Sequence, residues 1–282
     1  MSDAAPAERE EVRVTVLIEE MAWPQVEQAV AEGKTTVLIA CGAVEQHGPH
    51  LPIGTDAYLG TAIAERAASL AGNALVAPTL RPGLSDHHMS FPGSFTLRPE
   101  TFVALLTDYC TSLAQHGFER IVIFPSHGGN ADMMKAHIPW LARILADRCE
   151  VVLSLRLDDG MLRIGEYLAE HGVTIGRAGV HAGYSETAMM LAYAPALVHM
   201  DQAAPGLTDE AFYAPEQVRR SQMSSFLYGI RSQSANGVLG DPTGADAEIG
   251  ERLLQMAAES LVQDVTVSPE PSSGLKVVEP AV

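Results

Sequence analysis

Four short runs of apolar and β-branched residues recur along this chain, each separated from the next by a segment of helical period. That alternation restricts the fold more than any other feature. The runs are TTVLIA (Thr35 to Ala40), ALVAP (Ala74 to Pro78), RIVIFP (Arg120 to Pro125) and EVVLSL (Glu150 to Leu155). Their length and unbroken apolar character fit strands buried on both faces. Between them lie AYLGTAIAERAASLAG closing on Gly72, PETFVALLTDYCTSLAQHG from Pro99 to Gly117, and NADMMKAHIPWLARILADR from Asn130. Proline at the start and glycine at the end mark helix boundaries. The order β-α-β-α-β-α-β requires a mainly parallel sheet with helices on both faces, because parallel neighbours need crossover connections. Further helices are expected at about Ser185 to Tyr193 and Asp246 to Leu261, with a less regular segment between them.

A hydrophobic content of 47% over 282 residues is enough for a large core. No linker, charge block or internal repeat interrupts the alternation, so one domain is expected over 12–265. The polar, proline-bearing ends, 1–11 and 266–282, read as loosely held tails. A net charge of −17 with only 18 basic residues excludes nucleic acid as a partner, since phosphate binding needs clustered Lys and Arg. There is no signal-peptide pattern and no apolar run of membrane-spanning length, so the cytoplasm is the expected compartment. Cys41, Cys110 and Cys149 are odd in number and widely spaced, which suits buried thiols rather than disulfides or a zinc knuckle.

The polar clusters fall where the predicted strands end. GAVEQHGPHLPIGTD (Gly42 to Asp56) follows the first strand, SDHHMSFPG (Ser85 to Gly93) the second and SHGGN (Ser126 to Asn130) the third, while HAGYSET (His181 to Thr187) precedes a helix. In open parallel sheets ligand sites gather at such strand ends. Glu45, His47, Asp56, His127 and Glu186 together offer two imidazoles and three carboxylates, a donor set for zinc, manganese or iron(II). Three carboxylates suit two ions, an arrangement used for hydrolysis. The two glycines of HGGN, Gly128 and Gly129, suit a backbone that something must approach closely.

Each residue has a plainer explanation. Asp56 alone reads as a helix cap and Glu186 as an acid at a helix start. His50, His87, His116, His137, His171 and His199 read as surface or hydrogen-bonded histidines. His88 is a candidate substrate contact, or it holds the FPG turn that follows. Ser126 beside His127 superficially suggests a serine nucleophile, but the G-x-S-x-G elbow is missing.

As a set, GAVEQHGPHLPIGTD, HHMSFPGSFTL, SHGGN, HAGYSET and GVLGDPTGADAEIG resemble, in order and spacing, the motifs of the creatininase (creatinine amidohydrolase) family, over roughly Thr35 to Ile249. The resemblance implies a three-layer α/β/α hydrolase with a dinuclear metal site, assembled as a homo-hexamer. It assigns Glu45, His47, Asp56 and His127 as metal ligands, with Asp56 bridging, and His181 as the group that handles protons during C–N cleavage. One departure stands out. Creatinine-hydrolysing members carry a glutamate ligand two residues after the histidine matched by His127, and here that position is Gly129. Glu186 is the candidate replacement, as in relatives with the same HGGN, which include formamide hydrolases and a peptide-trimming enzyme. Creatinine is therefore not the expected substrate.

The sequence thus leads to a metal-dependent amidohydrolase with two divalent ions per chain, zinc first and manganese or iron(II) as alternatives, acting on a small-molecule amide. His181 and Glu186 are its candidate catalytic residues; His88, Ser126, Gly128 and Gly129 are its candidate substrate contacts. A peptide-trimming metallopeptidase and a catalytically silent metal-binding or assembly protein are the alternatives.

Overall fold

The computed structural model describes residues 15–214 and 217–266, with backbone alone at 156–162, 218–219 and 221–222. The tails expected at 1–11 and 266–282 lie outside those residues, apart from Thr266, which is the last residue of a helix. In chain order the elements are α1 (Trp23–Ala31), β1 (Thr36–Cys41), α2 (Thr55–Ala71), β2 (Ala74–Val76), α3 (Pro99–Gln115), β3 (Arg120–Pro125), α4 (Ala131–Ile144) and β4 (Glu150–Leu153). They continue with α5 (Arg156–Glu170), α6 (Ile175–Ala178), α7 (Tyr184–Tyr193), α8 (Glu210–Tyr213), α9 (Val218–Tyr228) and α10 (Ala247–Thr266).

The sheet is parallel throughout, in the order β2-β1-β3-β4. β1 and β3 pair from Thr36–Arg120 to Cys41–Pro125. Strand side chains alternate between faces, and the two faces of β1 feed separate cores. Leu38 and Ala40 pack with the alanines of α2 and with Met190 of α7 and Leu254, Ala257 and Leu261 of α10. Val37, Ile39 and Cys41 pack with Phe102 and Leu106 of α3, Met134 and Leu141 of α4, and Ala29 of α1. The result is the three-layer α/β/α architecture. Each fully buried Leu, Ile or Val contributes about 1.5–3 kcal/mol, so these two layers hold the sheet on both sides.

The crossovers decide where a site can form. From β1 the chain passes through α2 on one face to β2, and from β2 it returns through α3 on the other face to β3. The direction reverses at β1 and β3, so the segments leaving their carboxyl ends diverge to opposite faces and a crevice opens between them. Gly42 lets the chain leave β1 tightly, since a Cβ there would lie 2.8 Å from the Cα of Ala57.

Asn130 ties this end of the sheet together. It is fully buried; its Nδ2 donates to Cys41 O at 3.0 Å and Gly42 O at 2.9 Å, and its Oδ1 accepts from Leu84 N at 2.9 Å. One amide thus joins the segments that follow β1, β2 and β3. The sequence marks Asn130 only as a helix start. Asn130→Ala would leave three buried backbone groups without this partner. Urea titration is expected to show a loss of about 1–3 kcal/mol, the cost of an unsatisfied buried polar group. An unchanged midpoint would show that the amide is dispensable.

Candidate metal centre

The segment after β1 is held in place by its backbone. Glu45 N donates to Ile53 O at 2.7 Å, and Phe95 N donates to Val44 O at 2.8 Å. Glu45 and His47 are thereby fixed in the crevice, 1% and 0% exposed. Asp56 enters from the first turn of α2, whose start is anchored by Ser126 Oγ donating to Asp56 O at 2.9 Å. His127 follows β3, and Glu186 lies in the first turn of α7. His181 is carried by a two-way bridge to Leu239: Leu239 N donates to His181 O at 2.9 Å and His181 N donates to Leu239 O at 3.4 Å. The structure therefore brings all five candidate ligands, and His88 and His181 with them, into one cluster.

Asp56 spans two imidazoles. Its Oδ1 lies 3.2 Å from His47 Nε2 and its Oδ2 lies 3.1 Å from His127 Nδ1. Glu45 Oε1 lies 3.3 Å from His127 Nδ1, 3.2 Å from His88 Nε2 and 3.8 Å from His181 Nδ1. Glu186 Oε2 lies 3.8 Å from His47 Nε2 and also accepts the Ala182 N–H, so it closes the start of α7 while facing the cluster. The far nitrogens of the two candidate ligand histidines are committed to backbone. His47 Nδ1 faces Glu45 O at 3.1 Å and His127 Nε2 faces Leu84 O at 3.1 Å. Donation to these carbonyls leaves His47 Nε2 and His127 Nδ1 as lone pairs aimed inward, the support typical of metal-ligating histidines.

Despite this crowding, Glu45 Oε2, His47 Nε2 and Asp56 Oδ2 are buried without a hydrogen bond. Polar atoms so placed are costly unless another partner serves them. Glu45, His47 and Asp56 have ligand atoms mutually within 4.8 Å, as do His47, His181 and Glu186. This donor set fits one or two divalent cations of the zinc, manganese or iron(II) kind.

The electrostatics agree with that fit. Burial, despite the pull of His127, pushes Glu45 up to about 7. Burial opposes charge on His47, yet Asp56 drives it up to about 10, and Glu45 and Asp56 together take His127 to about 9 against its own burial. Asp56 is buried too, but His47 and His127 hold its carboxyl below the usual range. The carboxylates thus raise the proton affinity of both imidazoles, a demand for positive charge at this point that a cation held by their inward lone pairs would meet. Burial and the neighbouring His47 hold His181 well below its ordinary value, and burial with His181 does the same to His88.

Gly129 has no room for a side chain: a Cβ there would overlap His127 Nε2 and Leu84 O, the two atoms of the bond that orients His127. Gly128, by contrast, faces open space. Ser126, Gly128, Gly129 and His88 all line the cavity over the cluster, whose volume is about 670 Å³. Ser126 Oγ is already committed to Asp56 O, so it is not placed as a nucleophile.

The sequence passes over three participants. His87 lines the cavity and, with Glu45 and His127, forms a further group of candidate ligands. Its only signal is the doubled histidine. His50, fully buried, faces Thr187 Oγ1 at 2.8 Å through Nε2. Gln46, between two ligands and therefore easy to overlook, faces both His88 Nδ1 and His181 Nε2.

Comparison with known proteins follows the same lines. Residues 19–265 match the family model described as Creatininase, creatinine amidohydrolase. The chain is 33% identical over 223 residues to the mycofactocin precursor peptide peptidase of Mycolicibacterium smegmatis, covering 77% of this chain and 79% of that protein. It is 29% identical over 261 residues to the creatinine amidohydrolase of Pseudomonas putida, covering 89% and 96%. The solved structure named "Creatininase Mn" superposes with a TM-score of 0.73 at 28% identity, over 89% of this chain and 98% of that one. A mutant creatininase of "Zn-Zn type" gives 0.72 at 28% identity, over 89% and 97%. With fold, motif order and family model in agreement over most of its length, the chain belongs to the creatininase family, hydrolases of amide-type carbon–nitrogen bonds.

Proposed function

We propose that this protein is a metal-dependent amidohydrolase that cleaves the C–N bond of a small amide, cyclic amide or formamide. The observation that carries the reading is that Glu45, His47 and Asp56 have ligand atoms within 4.8 Å of one another and that each keeps a buried polar atom (Oε2, Nε2 and Oδ2) without a hydrogen bond. Glu45, His47, Asp56, His127 and Glu186 would hold two ions, with Asp56 shared between them. When bound, the ions supply a nucleophile at neutral pH and positive charge for the developing oxyanion.

The chain's own residues do the rest. His181, neutral because of its burial, takes up the proton released as water attacks and passes it to the leaving nitrogen. His88 and the backbone at Gly128 and Gly129 border the substrate. A peptide-trimming role has specific support as a second reading. The cavity is large for a single small ring, and Met133, Val180, Met223, Phe226 and Leu239 line it beside the charged Asp132 and Lys135. The relative from Mycolicibacterium smegmatis is named a peptide peptidase. Turnover of a panel of formamides, cyclic amides and short peptides, with and without chelation, decides between the readings. Full activity after complete removal of metal would sink both.

Glu186→Gln separates the metal role from the helix-start role. A glutamine oxygen still accepts the Ala182 N–H, so the melting temperature of the metal-stripped variant should stay close to that of the metal-stripped parent. A neutral amide oxygen is a poorer partner for a divalent cation than a carboxylate, so one of the two ions should be lost or weakened. Elemental analysis reads the outcome, and an unchanged metal count with normal turnover would reduce Glu186 to a cap.

His181→Ala is expected to keep its metal while kcat falls by about 10²–10⁴, the range for losing a general acid or base. Loss of metal from that variant would make His181 a ligand instead.

The family's homo-hexamer is proposed for this chain as well. On α9 Met223, Phe226, Leu227 and Tyr228 are exposed together, as is Trp23 on α1, and groups of exposed large apolar side chains mark contact surfaces. Light scattering coupled to size exclusion should give a mass several times that of one chain. A monomer at micromolar concentration would contradict this.

A further inference from the structure

We propose that Gln46 is a positioning residue that fixes the tautomer of His88 through its side-chain amide and that of His181 through its backbone carbonyl, and so decides which nitrogen of His181 meets the substrate. Gly48 N donates to Gln46 Oε1 at 2.9 Å, which sets the orientation of the amide. The other end, Nε2, faces His88 Nδ1 at 3.0 Å, His181 Nε2 at 2.9 Å and Gly237 O at 3.2 Å. An amide nitrogen carries two hydrogens and no lone pair, so it serves at most two of these three groups. His181 Nε2 also lies 2.8 Å from the backbone carbonyl of Gln46, and no other donor reaches that carbonyl among the described residues.

Only one arrangement gives every acceptor a donor, and it leaves the 2.9 Å approach of Gln46 Nε2 to His181 Nε2 as a contact between two donors. If His181 carried its proton on Nδ1, Gln46 O would have no donor and three acceptors would compete for two hydrogens. With the proton on Nε2, His181 donates to Gln46 O, and the two amide hydrogens go to His88 Nδ1 and Gly237 O. Buried polar groups are nearly always paired, which selects the second arrangement. His88, accepting at Nδ1, then carries its proton on Nε2, facing Glu45 Oε1 at 3.2 Å. His181 is left with a lone pair on Nδ1, on the side of Glu45 and the cavity. Gly237, at φ +81°, keeps the space clear, because a Cβ there would overlap the Gln46 amide.

The effect on turnover rests on the proton-handling role proposed for His181, whereas the tautomers do not. The zinc-loaded protein, labelled with ¹⁵N at histidine, is read by long-range ¹H–¹⁵N correlation. Both His88 and His181 should be Nε2–H forms, and an Nδ1–H form of either in the parent overturns the assignment whether or not any variant folds. Gln46→Glu places an acceptor where the amide donated, so His88 should move its proton to Nδ1. Gln46→Leu should leave the metal count unchanged and lower kcat about 10–100-fold on the best amide of the panel, the usual loss for a supporting residue around a metal site. KM should change far less. Gln46→Leu keeps the backbone carbonyl, so His181 should remain the Nε2–H form; a His88 unaltered in tautomer, with normal kcat, would make the side chain mere filling and overturn the proposal. Normal turnover by His181→Ala, with the parent tautomers as expected, would sink the role of His181 and leave the tautomer assignment standing.

Discussion

The pairing of β1 with β3, in register from Thr36 and Arg120 to Cys41 and Pro125, is the constraint on which the rest of the molecule depends. Parallel strands cannot be joined by a tight turn. Each connection therefore returns across a face of the sheet, and every strand releases its chain at the same edge. Glu45 and His47 leave β1 there, and His127 leaves β3. Because α2 and α4 lie on opposite faces, the two exits part and leave a crevice rather than a packed seam. Asn130 bonds the two exits and the segment after β2 to one another, so the crevice has a fixed width.

Into this crevice the fold places more charge than a protein interior normally holds. Glu45, Asp56 and Glu186 are set against His47 and His127, and the chain's own hydrogen bonds are spent on orienting these side chains rather than on pairing all their inward atoms. The backbone carbonyls of Glu45 and Leu84 fix the imidazoles from behind. Stability is thus set against readiness to bind. Atoms that a core would rather satisfy are kept bare at the floor of the cavity.

Much of this was legible in the sequence, for physical reasons. The four strands are continuous apolar runs because both their faces are covered, and α2 and α3 carry proline or glycine at their boundaries, whereas α4 starts at Asn130 and holds Pro139 inside it. Asp56, His47 and His127 stood out because such residues rarely crowd the end of a buried strand by chance. What escaped has causes too. α1 escaped because no strand-like run precedes it, and α5 because none follows it. Asn130 resembled an ordinary helix start, since its work is done by an amide bonding to distant backbone. Gln46 gave no signal of its own, because a glutamine's partners are set entirely by tertiary structure. His50 and His87 read as surface or hydrogen-bonded histidines, and only the fold brings one to Thr187 and the other to within 5.8 Å of the His127 ring.

The crowding at Gly129 bears on how such a centre can change over time. A carboxylate introduced there would displace the contact between His127 and Leu84 O before it could reach an ion, so the first step of an exchange would damage an existing ligand. Moving the acid between that position and Glu186 therefore requires the loop after β2 to shift in concert.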